Sequence, residues 1–351
     1  MRAALQSALL GQVLISTWLC LLYCAPLTIG FQGWHEGGAF ARQQRCSTRC
    51  AASSVGLNDM LQLLQRKQYE IRELEKRHRD PADPVRQRLN FVSETSSLAL
   101  TRALRLNVLG EREEERRLSL VADMKRRSPT ARDLPHDVDD FADAGRRSVE
   151  LFAGFGANVV MVNTDEMGWG GSLDDLHAVV AARDGGVEEG EGKKEKKHCA
   201  VLAKDIYLHP LQIAAAVDAG ADGVLLMASV LGPRLEELLD ACTVMGTEAV
   251  VEVHTPNECE HALELGAMAL CLNNWDRVEG LWRANQAEAV HRLIPGNVVT
   301  VAAGGIGSSD EARRLHEAGF DAVVLGRALT AHPDPTRLAD HIRAVGTQGL
   351  R

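Results

Sequence analysis

From Leu118 onward, short apolar runs alternate with longer segments whose apolar and polar positions recur at helical spacing. That alternation is the signature of parallel strands joined by crossover helices. The apolar runs predict strands over 118–124, 157–162, 200–204, 223–227, 249–253, 267–272, 298–303 and 322–325. Helices are predicted over 138–152, 173–183, 210–219, 234–245, 256–265, 278–293, 309–318 and 335–345. Pro210, Pro256 and Pro335 fall in first helical turns, where a missing N–H costs nothing. Ala-Gly-Ala-Asp at 219–222, Leu-Gly-Ala at 265–267 and Ala-Gly-Phe-Asp at 318–321 are glycine helix stops that lead into the next strand. Eight such units favour a closed barrel over an open doubly wound sheet.

Ahead of the first strand, Leu57, Met60, Leu61, Leu64, Tyr69, Ile71 and Leu74 form the apolar stripe of a helix over 57–78. Arg72, Glu73, Glu75, Lys76 and Arg77 supply its solvated face, and Asp80-Pro81-Ala82-Asp83-Pro84 ends it. A weaker helical pattern spans 92–106, and the charged run 111–117 reads as a solvated approach to the first strand. The Glu- and Lys-rich stretch 185–197 reads as a solvent loop inserted before the third strand.

The first 54 residues depart from this pattern. A nearly uncharged apolar run over 8–29 reads as a signal segment or an anchor, and 31–54 is arginine-rich and acid-poor like a transit peptide. Together they resemble the bipartite leader of plastids acquired by secondary endosymbiosis; a plain secretory signal or a retained anchor is the alternative. The resulting organisation is a leader over 1–54 (signal-like 1–30, transit-like 31–54), a helical extension over 55–117 and a barrel over 118–351. A net charge of -9 over 351 residues gives no global field for nucleic acid. Cys20/Cys24 and Cys46/Cys50 have ligand-like spacing, but they fall in the leader and no second pair of that spacing follows, so no metal site is expected.

Barrels of this kind carry their chemistry at the C-terminal ends of the strands. Lys125 follows the first predicted strand, Lys204 ends the third, Glu252 lies near the end of the fifth and Asn273 follows the sixth. Any one of these is compatible with a solvated strand end. Together, two ammonium groups and a carboxylate at one mouth suit an anionic substrate and proton transfer. Ala303-Gly304-Gly305-Ile306-Gly307 and Leu325-Gly326-Arg327 close the last two strands, where backbone N–H groups commonly hold phosphate.

Five motifs in order carry a more specific resemblance. Asp123-Met124-Lys125-Arg126-Arg127-Ser128-Pro129-Thr130, Asn163-Thr164-Asp165-Glu166-Met167 with Gly170-Gly171-Ser172, Ala203-Lys204-Asp205-Ile206, Val251-Glu252-Val253-His254 and Leu272-Asn273-Asn274 are similar to the successive motifs of the indole-3-glycerol-phosphate synthase family. The resemblance runs over about 57–349 and implies an α/β fold, a (β/α)8 TIM barrel with an N-terminal helical extension. It further implies decarboxylating ring closure of 1-(2-carboxyphenylamino)-1-deoxyribulose 5-phosphate in tryptophan biosynthesis, with no metal and no organic cofactor. On that pattern Lys204 is the general acid and Lys125 holds the carboxylate or phosphate end. Glu252 moves protons during dehydration, Asn273 orients the substrate, and Asp123 stands for a first-strand glutamate. Ser128 belongs to a mobile first loop, and Gly305, Gly326 and Arg327 form the phosphate site.

Several positions depart from the pattern. Asp123 is one methylene shorter than the family residue, Trp275 replaces an arginine and Ile206 an aromatic. Ala303 and Gly304 replace a glutamate and a serine, and Arg327 replaces a small or acidic residue. A catalytically degenerate barrel acting as a binding or structural subunit is therefore the alternative reading. An isomerase of the related phosphoribosylanthranilate type is disfavoured, because its cysteine and aspartate pair has no evident match. The expected partners are the phosphosugar substrate and other tryptophan-pathway enzymes or a plastid complex. Nucleic acid is not expected, nor is a membrane for the mature chain, and the expected location is the plastid stroma.

Overall fold

The computed structural model describes residues 60–90, 92–93, 98–106, 117–124, 154–185, 199–276 and 280–345. The leader, Lys125, Ser128, the helix read over 138–152 and all but the first residue of the 185–197 insertion lie outside the described residues.

Eight parallel strands close into a barrel. They are β1 (Ser119–Met124), β2 (Val159–Asn163), β3 (Ala200–Lys204), β4 (Gly223–Met227), β5 (Glu248–Val253), β6 (Ala269–Asn273), β9 (Val299–Ala303) and β10 (Ala322–Leu325), with β10 pairing back onto β1. Two short strands between them, β7 (Trp275–Asp276) and β8 (Leu281–Trp282), form a separate antiparallel ribbon. The barrel strands read as continuous apolar runs because both faces are covered. Val121, Met161, Leu202, Leu225, Val250, Cys271, Val301 and Val324 point inward and fill the barrel. Residues of the opposite phase, such as Leu120, Val160, Val201 and Leu226, pack outward against the helices.

The strand readings stand within about two residues, and β6 extends to include Asn273. The helix read over 278–293 is corrected to Gln286–His291. The ribbon takes its first half, and Gly280 and Asn285 both adopt positive φ (65° and 61°), which no helix interior tolerates. Among the described residues of 92–106, the helix spans Ala99–Leu104, entered through Leu98 at φ 49°.

That short helix plugs the N-terminal mouth of the barrel. Leu100 and Leu104 join the inner apolar cluster, and a Cβ on Gly223 would come within 2.5 Å of Leu100. Glu248, the first residue of β5, caps the helix by accepting from the Leu100 and Thr101 N–H groups at 2.7 and 2.9 Å, and from the Thr101 hydroxyl. Arg105 grips Asp321 through two hydrogen bonds of 3.0 and 2.9 Å and donates to the Val298 carbonyl.

A candidate active site at the C-terminal mouth

One pleat beyond the inward apolar residues, the same phase of each strand brings Asp123, Asn163, Lys204, Met227, Glu252, Asn273 and Ala303 to the C-terminal end of the barrel interior. Lys204 Nζ reaches across β2 to lie 3.4 Å from both carboxylate oxygens of Asp123. Both side chains are largely buried, so the attraction between them is poorly screened. The contact is longer than a tight ion pair.

Glu252 is buried, and its Oε1 lies 3.3 Å from His254 Nε2, an ion-pair distance without the alignment of a hydrogen bond. Glu258 flanks the other ring nitrogen at 3.3 Å and accepts from the His254 backbone N–H at 2.8 Å. Burial opposes the imidazolium, yet the two carboxylates outweigh it and raise the His254 pKa to about 9. A protonated His254 therefore places positive charge against Glu252 at neutral pH.

At the end of β6, Asn273 Oδ1 accepts from the Trp275 backbone N–H at 3.0 Å. Asn273 thereby initiates the ribbon. The ribbon folds over the end of β9: the Asn274 N–H donates to the Ala303 carbonyl at 3.0 Å, and Trp282 Nε1 donates to the Gly304 carbonyl at 3.3 Å. Gly304 has φ 88°, and a Cβ there would collide with Asn273 Oδ1. A serine at this position is incompatible with this turn. Gly305, also at positive φ, lies under the Trp282 indole, where a Cβ would meet Nε1 at 2.9 Å. Gly326 follows β10 and caps the short helix Arg327–Ala331, with Arg327 exposed.

Two residues near this mouth were not legible as site residues. Lys67, on the helix over 60–77, is almost completely buried and lies 2.5 Å from both Asp165 Oδ1 and Asp205 Oδ1, with Glu70 at 2.7 Å. Burial works against its charge, but Asp205 and Asp165 overcome it and raise its pKa. Arg66 adds a 2.8 Å contact to Asp165. Since Asp165 lies two residues beyond β2 and Asp205 directly follows β3, this cluster pins the extension to the rim that carries Lys204. The available signal was a lysine set within the half-buried apolar stripe of Leu63, Leu64, Ile71 and Leu74. The second residue is Asn163, which looks like part of a loop motif when β2 is ended at Val162.

Among the described residues, no helix is long and apolar enough to cross a membrane. The family model described as "Indole-3-glycerol phosphate synthase" matches residues 60–342. The chain is 35% identical over 220 residues to indole-3-glycerol phosphate synthase of Dehalococcoides mccartyi (strain CBDB1), covering 62% of this chain and 79% of that one. It is 29% identical over 276 residues to the enzyme of the same name from Chlorobium limicola, covering 78% of this chain and 95% of that one. Among solved structures, 3-hexulose-6-phosphate synthase from Salmonella typhimurium shares the fold, with a TM-score of 0.50 and 19% identity over 66% of this chain and 99% of that one. The match of the family model over residues 60–342, through both the extension and the barrel, places this chain in the indole-3-glycerol phosphate synthase family.

Proposed function

We propose that the chain catalyses the family's reaction, converting 1-(2-carboxyphenylamino)-1-deoxyribulose 5-phosphate to indole-3-glycerol phosphate, CO₂ and water. The observation that carries this reading is the Lys204–Asp123 contact on a rim that also holds Glu252 and Asn273. As the aromatic carbon attacks the ribulose carbonyl, Lys204 donates its proton to the developing alkoxide, with Asp123 beside it to hold the ammonium in place. Loss of CO₂ then restores aromaticity at the attacking carbon. Glu252 moves the proton in the dehydration that follows, with the His254 ring 3.3 Å away to position it. Asn273 orients the substrate through its amide nitrogen. By the family's pattern Lys125 and Ser128 are the residues for the anionic ends, and Gly305, Gly326 and Arg327 take the phosphate through backbone N–H groups and a guanidinium.

The composition of residues 1–54 supports a plastid location for the mature chain, beside other enzymes of tryptophan synthesis. Ala303, Gly304 and Trp275 favour the second reading, a degenerate barrel that binds ligand without turnover. The deciding measurement is fluorescence-detected formation of indole-3-glycerol phosphate by residues 55–351. Lys204→Met is expected to lower turnover by about 10² or more while leaving the circular dichroism unchanged. No product above the no-enzyme control from folded protein at high concentration overturns the synthase in favour of the degenerate barrel.

A further inference from the structure

We propose that Asn163 is a substrate-contacting residue whose amide reads a hydroxyl of the ribulose chain, an assignment that rests on the synthase reading above. Asn163 is the last residue of β2, in the inward phase set by Val159 and Met161, and its register partner on β3 is Lys204. Lys204 passes from β3 over to Asp123 on β1, so Asn163 lies on the strand that this ion pair bridges. The side chain is 2% exposed, and neither Oδ1 nor Nδ2 has a hydrogen-bond partner among the described residues. Other asparagines of the fold are engaged: Asn158 accepts from the Leu120 N–H, and Asn274 accepts from the Ala287 N–H. A buried amide with both ends unpaired destabilises the fold, and packing alone favours an apolar residue of similar size above Met161.

The position is also rigidly held. The Thr164 N–H donates to the Lys204 carbonyl at 2.9 Å, and Gly171 abuts the Asn163 carbonyl so closely that a Cβ would collide with it. Asn163 therefore cannot swing its backbone away to find another partner. The chemistry of the amide selects the ligand group. A carboxylate or phosphate offers acceptors alone and would leave Oδ1 unpaired, whereas a hydroxyl accepts from Nδ2 and donates to Oδ1. The polyhydroxylated chain of the substrate presents such groups between its carbonyl and its phosphate.

The test uses the full chain, Asn163→Leu and Asn163→Ala. Two non-cyclising probes are titrated: the pentitol 5-phosphate obtained by reducing the substrate ketone, and an anilino-alkyl phosphate of equal length without hydroxyls. Asn163→Leu is expected to weaken the pentitol phosphate about tenfold, the scale of one buried hydrogen bond, and to leave the hydroxyl-free probe unchanged. The same variant should raise Tm by roughly 2–4 °C, since an unpaired amide gives way to an apolar isostere. Asn163→Ala should lose the same hydroxyl discrimination even where leucine disturbs packing. Equal affinity of parent and both variants for the pentitol phosphate, with reduced stability, identifies a structural asparagine and overturns the assignment. A parent chain that binds the pentitol phosphate but forms no product overturns the synthase reading alone, and one that does not bind it overturns both.

Discussion

The two mouths of this barrel are built from similar materials and finished differently. At the N-terminal mouth, polar groups meet in close, mutually satisfying sets: Glu248 with Leu100 and Thr101, Asp321 with Arg105 and Thr300, and the Ser119 hydroxyl with the Ala103 carbonyl. At the C-terminal mouth, Lys204 stands 3.4 Å from Asp123, Asn163 has no protein partner among the described residues, and Ala303 occupies an inward position without polar atoms. The first arrangement maximises stability. The second leaves the buried Asn163 amide without a partner among the described residues, at some cost to folding. The extension serves both ends, because its helix over 60–77 anchors one rim and Ala99–Leu104 seals the other.

Breaking this contrast at its strongest point means removing the buried lysine of the upper rim. Lys67→Met leaves Asp165 and Asp205 close together without their shared cation, and should destabilise the chain by about 3–5 kcal/mol in urea unfolding. An unchanged midpoint would mean that the helix over 60–77 does not hold β2 and β3. Next in size is a pH effect centred on His254. Its pKa in the folded chain is raised from 6.5 to about 9, so the stabilisation it brings is complete below pH 6.5 and disappears as pH rises through 9. The change is at most on the order of 3 kcal/mol. His254→Gln should flatten the stability profile over that window, and a variant with the parent's slope would exclude His254 as its source. The smallest effect belongs to the lower mouth: Glu248→Ala uncaps the plug helix and should cost about 1–2 kcal/mol. Its kcat/KM should match the parent's, and a drop would show that the two ends are coupled.

The barrel was legible in the chain because each strand is buried on both faces, which leaves short apolar runs punctuated by glycine helix stops such as Gly220 and Gly319. Lys204, Glu252 and Asn273 were legible because polar residues that end apolar runs are conspicuous. The ribbon escaped notice because Leu281 and Trp282 also fit the amphipathic helix read over 278–293, and only their pairing with Trp275 and Asp276 distinguishes the two. Lys67 was hidden by the usual expectation that a helical lysine is solvated, and its partners lie about 100 and 140 positions further on. Asn163 depended on one residue of strand length, which decides whether a side chain belongs to a loop or to the barrel interior.

The extension also shapes how the chain must assemble. Arg66 and Asp165 are separated by 99 positions, Leu100 and Glu248 by 148, and Arg105 and Asp321 by 216, while β1 waits for β10 to close the sheet. During synthesis the helix over 60–77 leaves the ribosome early and must wait, with Leu63, Leu64, Ile71 and Leu74 uncovered, until the barrel it clasps has been made. Contacts of such long range slow folding and lengthen the interval in which apolar surface is open to aggregation. The segment that secures both mouths of the finished protein is thus, while the chain is still growing, the one most in need of a chaperone.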